Sequence, residues 1–82
     1  MTREEILSRV TAILVESFAL EPQLVTPTAH LFDDLDLDSI DAIDMVVRLQ
    51  EETGLEVEED ELKQIRLVRD VVDLIDRKLV EV

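Results

Sequence analysis

Residues 34–44 read Asp34-Leu35-Asp36-Leu37-Asp38-Ser39-Ile40-Asp41-Ala42-Ile43-Asp44. They predict the start of a helix. Asp38 is a residue type that caps an N-terminus with its side-chain oxygen. Ile40, Ile43 and Val47 then fall on one helical face. Ala42, Met45, Val46 and Leu49 spread apolar surface around most of the same segment. That is more than the single stripe a helix in a small bundle needs. Gly54 is placed to end the helix after about Thr53, because glycine takes the left-handed conformation of a helix terminus readily.

Upstream lies a long connection from about Glu21 to Leu37, holding Pro27 and the capping-type residues Thr26 and Thr28. Connections of this length without regular structure are uncommon in compact domains and are usually functional. Leu24, Val25, Leu31, Phe32, Leu35 and Leu37 are its expected apolar anchors. Before it, Thr2 and Glu5 form a capping box for a first helix with Ile6, Val10, Ile13, Leu14 and Ser17 at helical spacing, widened by Leu7 and Phe18. Pro22 ends that helix, since the residue before a proline is driven out of the α region.

Downstream, Glu58-Glu59-Asp60-Glu61 opens a short third helix through Leu62 and Ile65, its acids at the positive end of the helix dipole. A fourth helix runs from about Val68 to Leu79 on Val68, Val71, Val72, Ile75 and Leu79, with Arg77 and Lys78 in the last turn. Leu67 is a poor N-cap, so a partial merger of the third and fourth helices is one expectation. The predicted fold is all-α: a small four-helix bundle of three main helices and one short one, with a long loop between helices 1 and 2, forming one domain over residues 1–82.

Eight basic residues face 21 acidic ones, for a net charge of −13. That charge repels phosphate backbones and anionic membranes, so neither nucleic acid nor membrane insertion is expected. Basic patches on partner proteins are the complement it steers toward. With no cysteine, neither disulfides nor Cys-based metal sites hold the chain. No stretch is long and apolar enough to span a bilayer, and the N-terminus lacks a signal-peptide core; a cytoplasmic monomer is expected. Asp34, Asp36 and Asp38 imitate the start of a calcium loop, but Ser39 stands at the sixth position and Met45 at the twelfth, where an EF-hand needs Gly and Glu. Weak divalent binding by clustered acids is expected instead. His30, the only histidine, is expected to make an ordinary hydrogen bond in the loop. No metal-ligand cluster, glycine-rich phosphate loop or Ser-His-Asp set is legible, so no catalysis is predicted.

An Asp-Ser pair at a helix start, after a long loop and inside an acidic four-helix pattern, resembles the attachment site of acyl carrier proteins. The likeness extends over nearly the whole chain. It implies that Ser39 carries 4′-phosphopantetheine, installed from coenzyme A by a separate phosphopantetheinyl transferase. The arm then supplies the thiol that the chain lacks and holds acyl groups for fatty-acid, polyketide or related enzymes such as ketosynthases. The resemblance also implies partner recognition by Asp38, Asp41, Asp44 and Glu51, with Ile40, Ile43 and Val47 as the apolar positions beside them.

The chain departs from the family pattern at four places. Asp36 stands where glycine is frequent, Gln50 where an acid is frequent, Leu67 where Ser or Thr caps the last helix, and Arg48 adds a cation to an acidic helix. Because the chain begins and ends close to its helices, a free-standing carrier is expected. Two alternatives share the features. An unmodified acidic adaptor explains the charge but leaves the serine without a purpose. A peptidyl or aminoacyl carrier shares the serine but typically has glycine-rich residues before it, unlike Leu35-Asp36-Leu37-Asp38.

Overall fold

The computed structural model describes residues 1–81. Helix α1 spans Arg3–Phe18, α2 Ser39–Thr53, α3 Glu59–Leu62 and α4 Val68–Glu81. A single 3-10 turn covers Pro22–Leu24 within the first loop. The described residues contain no β-strand; one isolated antiparallel bridge joins His30 to Leu67. The predicted architecture of three main helices, one short helix and a long first loop is the one observed. Helix α1 packs against both α4 and α2.

Each helix end has a local cause. Thr2 and Glu5 form the predicted box, with Thr2 Oγ1 accepting from Glu5 N at 3.2 Å and Glu5 Oε1 accepting from Thr2 N at 3.2 Å. Helix α1 stops at Phe18, earlier than Pro22 alone requires, because Ala19 turns into the left-handed region at φ 56°. Glu21 is extended, as a residue before proline should be. Gly54 closes α2 at φ 73°, its N–H donating to the Gln50 carbonyl at 2.8 Å. An added Cβ would meet nothing within 4 Å there, so the backbone conformation, not space, favours glycine.

The third and fourth helices do not merge, and α3 ends at Leu62 rather than Ile65. Leu67 cannot cap α4, but Asp70 takes over: its Oδ2 accepts from Leu67 N at 2.8 Å and from Arg66 N at 3.0 Å. The next two amides find carbonyls in the first loop, Val68 N to Ala29 at 3.0 Å and Arg69 N to Pro27 at 2.9 Å. With Leu31 N donating to Arg66 O at 2.9 Å, the loop is strapped to the α3–α4 junction.

His30 organises the loop as expected of an ordinary hydrogen-bonding residue. Its Nδ1 accepts from Phe32 N at 3.2 Å and Asp33 N at 3.1 Å, while its own N–H donates to Asp34 Oδ2 at 2.7 Å. Of the predicted anchors, Val25, Leu31, Leu35 and Leu37 are buried and Phe32 is half-buried. Leu24 is not an anchor: the 3-10 turn leaves it 49% exposed. The core gathers Ile6, Val10, Ile13 and Leu14 of α1, Met45, Val46 and Leu49 of α2, and Val68, Val71, Val72, Leu74 and Ile75 of α4 around those loop residues.

Candidate functional site

Asp38 and Asp41 set the position of Ser39. Asp38 Oδ1 accepts from Asp41 N at 2.8 Å, and Asp41 Oδ2 accepts from Asp38 N at 3.2 Å. This reciprocal box starts the helix at Ser39, which is exposed. Its side chain therefore emerges at the positive end of the α2 dipole, where first-turn amides favour an anion. Among the described residues no hydrogen bond engages Ser39 Oγ.

The surplus apolar surface of α2 divides in two. Met45, Val46 and Leu49 enter the core, whereas Ile40, Ile43 and Val47 stay 73%, 49% and 41% exposed. Three apolar side chains in a row on an exposed helix face form a contact surface of the kind that partners cover. Of the predicted acidic positions, Asp38 and Glu51 are exposed and Asp41 and Asp44 half-buried. Asp38 and Asp41 are also cap residues, and Asp44 lies 3.5 Å from Arg48 Nε one turn on. The unusual cation at 48 thus has a carboxylate partner on its own helix. Gln50 accepts from Val57 N at 2.6 Å and fastens the chain leaving α2.

Beside Ser39 opens a groove of about 530 Å³. Phe32 of the first loop, Ala42 and Ile43 of α2, Leu62 of α3 and Ile65 just beyond give it an apolar lining, and Glu59, Lys63 and Arg66 add charge. Sequence reading found Ser39 and Ile43 in this lining but not the other members. The groove exists because α3 lies across from α2, a tertiary relation with no local signal. Among the described residues, no group of three or more His, Cys, Asp or Glu side chains is placed to hold a metal ion, and no helix is long and apolar enough to cross a membrane.

A free serine hydroxyl at a helix start, beside an apolar groove and an apolar-acidic contact face, is the arrangement of a small helical carrier domain. Residues 8–75 match the family model described as the phosphopantetheine attachment site. The chain is 53% identical over 72 residues to acyl carrier protein 2 of Ralstonia nicotianae, covering 88% of this chain and 89% of that one. Its fold is similar to the crystal structure of the acyl carrier protein of Thermotoga maritima, with a TM-score of 0.86 at 32% identity over 96% of this chain and 92% of the other. It is also similar to the acyl carrier protein from Enterococcus faecalis, with a TM-score of 0.78 at 36% identity over 95% and 99% of the two chains.

The chain belongs to the acyl carrier protein family, whose prosthetic group is phosphopantetheine. Members are carriers rather than catalysts, and they work with biosynthetic enzymes. The residues present fit the group: an exposed hydroxyl without a hydrogen-bond partner among the described residues, at a helix N-terminus that suits a phosphodiester, next to apolar surface suited to an acyl chain.

Proposed function

We propose that Ser39 is the attachment residue and that residues 1–82 form a single domain that carries acyl groups for fatty-acid, polyketide or related synthesis. The observation that carries this is the placement of Ser39: fixed at the first position of α2 by the Asp38–Asp41 box, exposed, and free of any internal hydrogen bond among the described residues. A phosphopantetheinyl transferase supplies the base. The Ser39 Oγ–P bond forms, the pyrophosphate P–O bond of coenzyme A breaks, and adenosine bisphosphate leaves while the serine proton passes to the transferase. When bound, the arm supplies a thiol that holds acyl groups as thioesters.

The chain's own part is to present the group. Ile40, Ile43 and Val47 offer the apolar contact, and Asp38, Asp41, Asp44 and Glu51 the charge that basic patches on the transferase, on ketosynthases and on other acyl-processing enzymes meet. Tethering then raises the effective concentration of the cargo at each partner. The chain performs no catalysis itself and acts as a cytoplasmic monomer that neither binds nucleic acid nor inserts into membranes. Its charge of −13 supports those exclusions.

The test is intact mass after incubating the purified apo chain with coenzyme A and a broad-specificity transferase. One added phosphopantetheine on wild type, and none on a folded Ser39→Ala variant, is the expected result. Folded wild type left unchanged, while a known carrier is modified in parallel, overturns the reading in favour of an unmodified adaptor.

A further inference from the structure

The chain holds 21 acids and eight bases, so nearly every cation should have a carboxylate beside it. Arg3, Arg9, Arg48, Arg77 and Lys78 all do, within 3.5 Å. Lys63 reaches only 3.8 Å from Glu59, with its side chain largely exposed. The Arg66 guanidinium has no carboxylate partner among the described residues. Its Nη1 instead donates to the carbonyls of Lys63 at 2.6 Å and Ile65 at 2.9 Å. Those bonds anchor one nitrogen of the guanidinium to the end of α3 and leave the rest of its donor fork available. Both cations line the groove that Ser39 lines.

We propose that Lys63 and Arg66 are positioning residues for the arm on Ser39: they hold its phosphodiester and draw the arm across the mouth of the groove. This rests on the attachment reading above. A phosphodiester on Ser39 Oγ stands beside the carboxylates of Asp38 and Asp41, which the capping box keeps in place. Like charge on the α2 side and two cations on the opposite wall draw the phosphodiester toward α3, against the pull of the first-turn amides of α2. A guanidinium fork matches the oxygen geometry of a phosphodiester, and the lysine adds a mobile point charge. Glu59 is the competing acid on that wall; at 3.8 Å it holds Lys63 loosely and does not hold Arg66. Arg69 serves as an internal contrast. It too has no carboxylate partner among the described residues, but it lines a different pocket with Pro27 and Val72, away from Ser39.

The test is phosphorus NMR on the arm-bearing protein, after intact mass has confirmed the arm. Exposed ion pairs are screened by salt. The wild-type phosphodiester resonance should therefore shift as sodium chloride is added. The displacement should be halved in Lys63→Gln or Arg66→Gln and lost in the double variant, whose resonance already sits at the high-salt position. Arg66→Lys should retain the salt response and Arg69→Gln should behave as wild type. Should Arg66→Gln loosen α3, Lys63→Gln alone decides, since the Lys63 side chain makes no backbone bond. The same shift and salt response in wild type and Lys63→Gln overturns the assignment. A chain that accepts no arm fails at the mass measurement, which overturns the attachment reading and this assignment with it.

Discussion

Asp36 takes φ 56°, one of only two non-glycine residues with positive φ among those described. In this region a Cβ crowds the following carbonyl, which costs roughly 1–2 kcal/mol for most residues and less for Asp or Asn. That explains why an aspartate can occupy a position whose backbone suits glycine. Asp36→Val is expected to destabilise the fold by about 1–2 kcal/mol in urea denaturation. Asp36→Gly should change it by less than about 1 kcal/mol, because relief of strain is offset by a looser unfolded chain. Asp38 offers a second test at this scale. Asp38→Ala removes the acceptor for Asp41 N and should lower stability by about 1 kcal/mol, with Asp38→Asn recovering most of it. The Asp38 cap and the place of Ser39 at the helix start were legible in sequence, because both are local. It did not reveal that Asp36 is left-handed, since nothing in the side chain declares the backbone angle.

Helix α3 has four residues, too few to persist on its own backbone bonds. Its hold comes from Glu61, which accepts from Lys78 Nζ at 2.8 Å, from Glu58 N at 3.0 Å and lies 3.4 Å from Arg77 on α4. The hydrogen bond from Lys78, helped by the Glu58 amide, lowers the Glu61 pKa below its usual 4.5. A depressed folded-state pKa stabilises the fold at pH values above 4.5 and loses that contribution as pH falls through the depressed value. Glu61→Gln is therefore expected to melt below wild type at neutral pH, with the gap closing as the carboxylate of the wild type becomes protonated. A gap that is constant from neutral to strongly acid pH in thermal melts would refute the latch.

The extent of legibility differs by element for physical reasons. Helices α1 and α2 were readable because capping boxes and apolar stripes lie within a few residues of one another. The start of α4 at Val68 was readable from its apolar spacing, but the way it is capped was not. Its amides are met by Asp70 from within and by Ala29 and Pro27, some forty positions away in sequence. The groove was hidden for the same reason, since Phe32 and Ile65 become neighbours only through the strap between loop and junction.

At the scale of the whole molecule, the net charge of −13 opposes compaction. Ion pairs such as Arg3 with Asp73 and Asp76, which tie the start of α1 to α4 and keep the guanidinium firmly protonated, recover only part of this. Added salt shortens the screening length from about 10 Å at 0.1 M to about 3 Å at 1 M. The melting temperature should rise across that range, and a fall would show that the surface pairs outweigh the repulsion.

Against this tense exterior stands an interior with no buried polar or charged side chain among the described residues. Eighteen aliphatic and methionine side chains meet there through shape alone. Such an interior holds its register by interdigitation rather than by directional bonds. Any shift of α1, α2 and α4 past one another breaks no side-chain hydrogen bond in the core, so resistance comes from filling of space and from the straps at the edges. Direction in this bundle is thus written at its seams, while its centre supplies close fit.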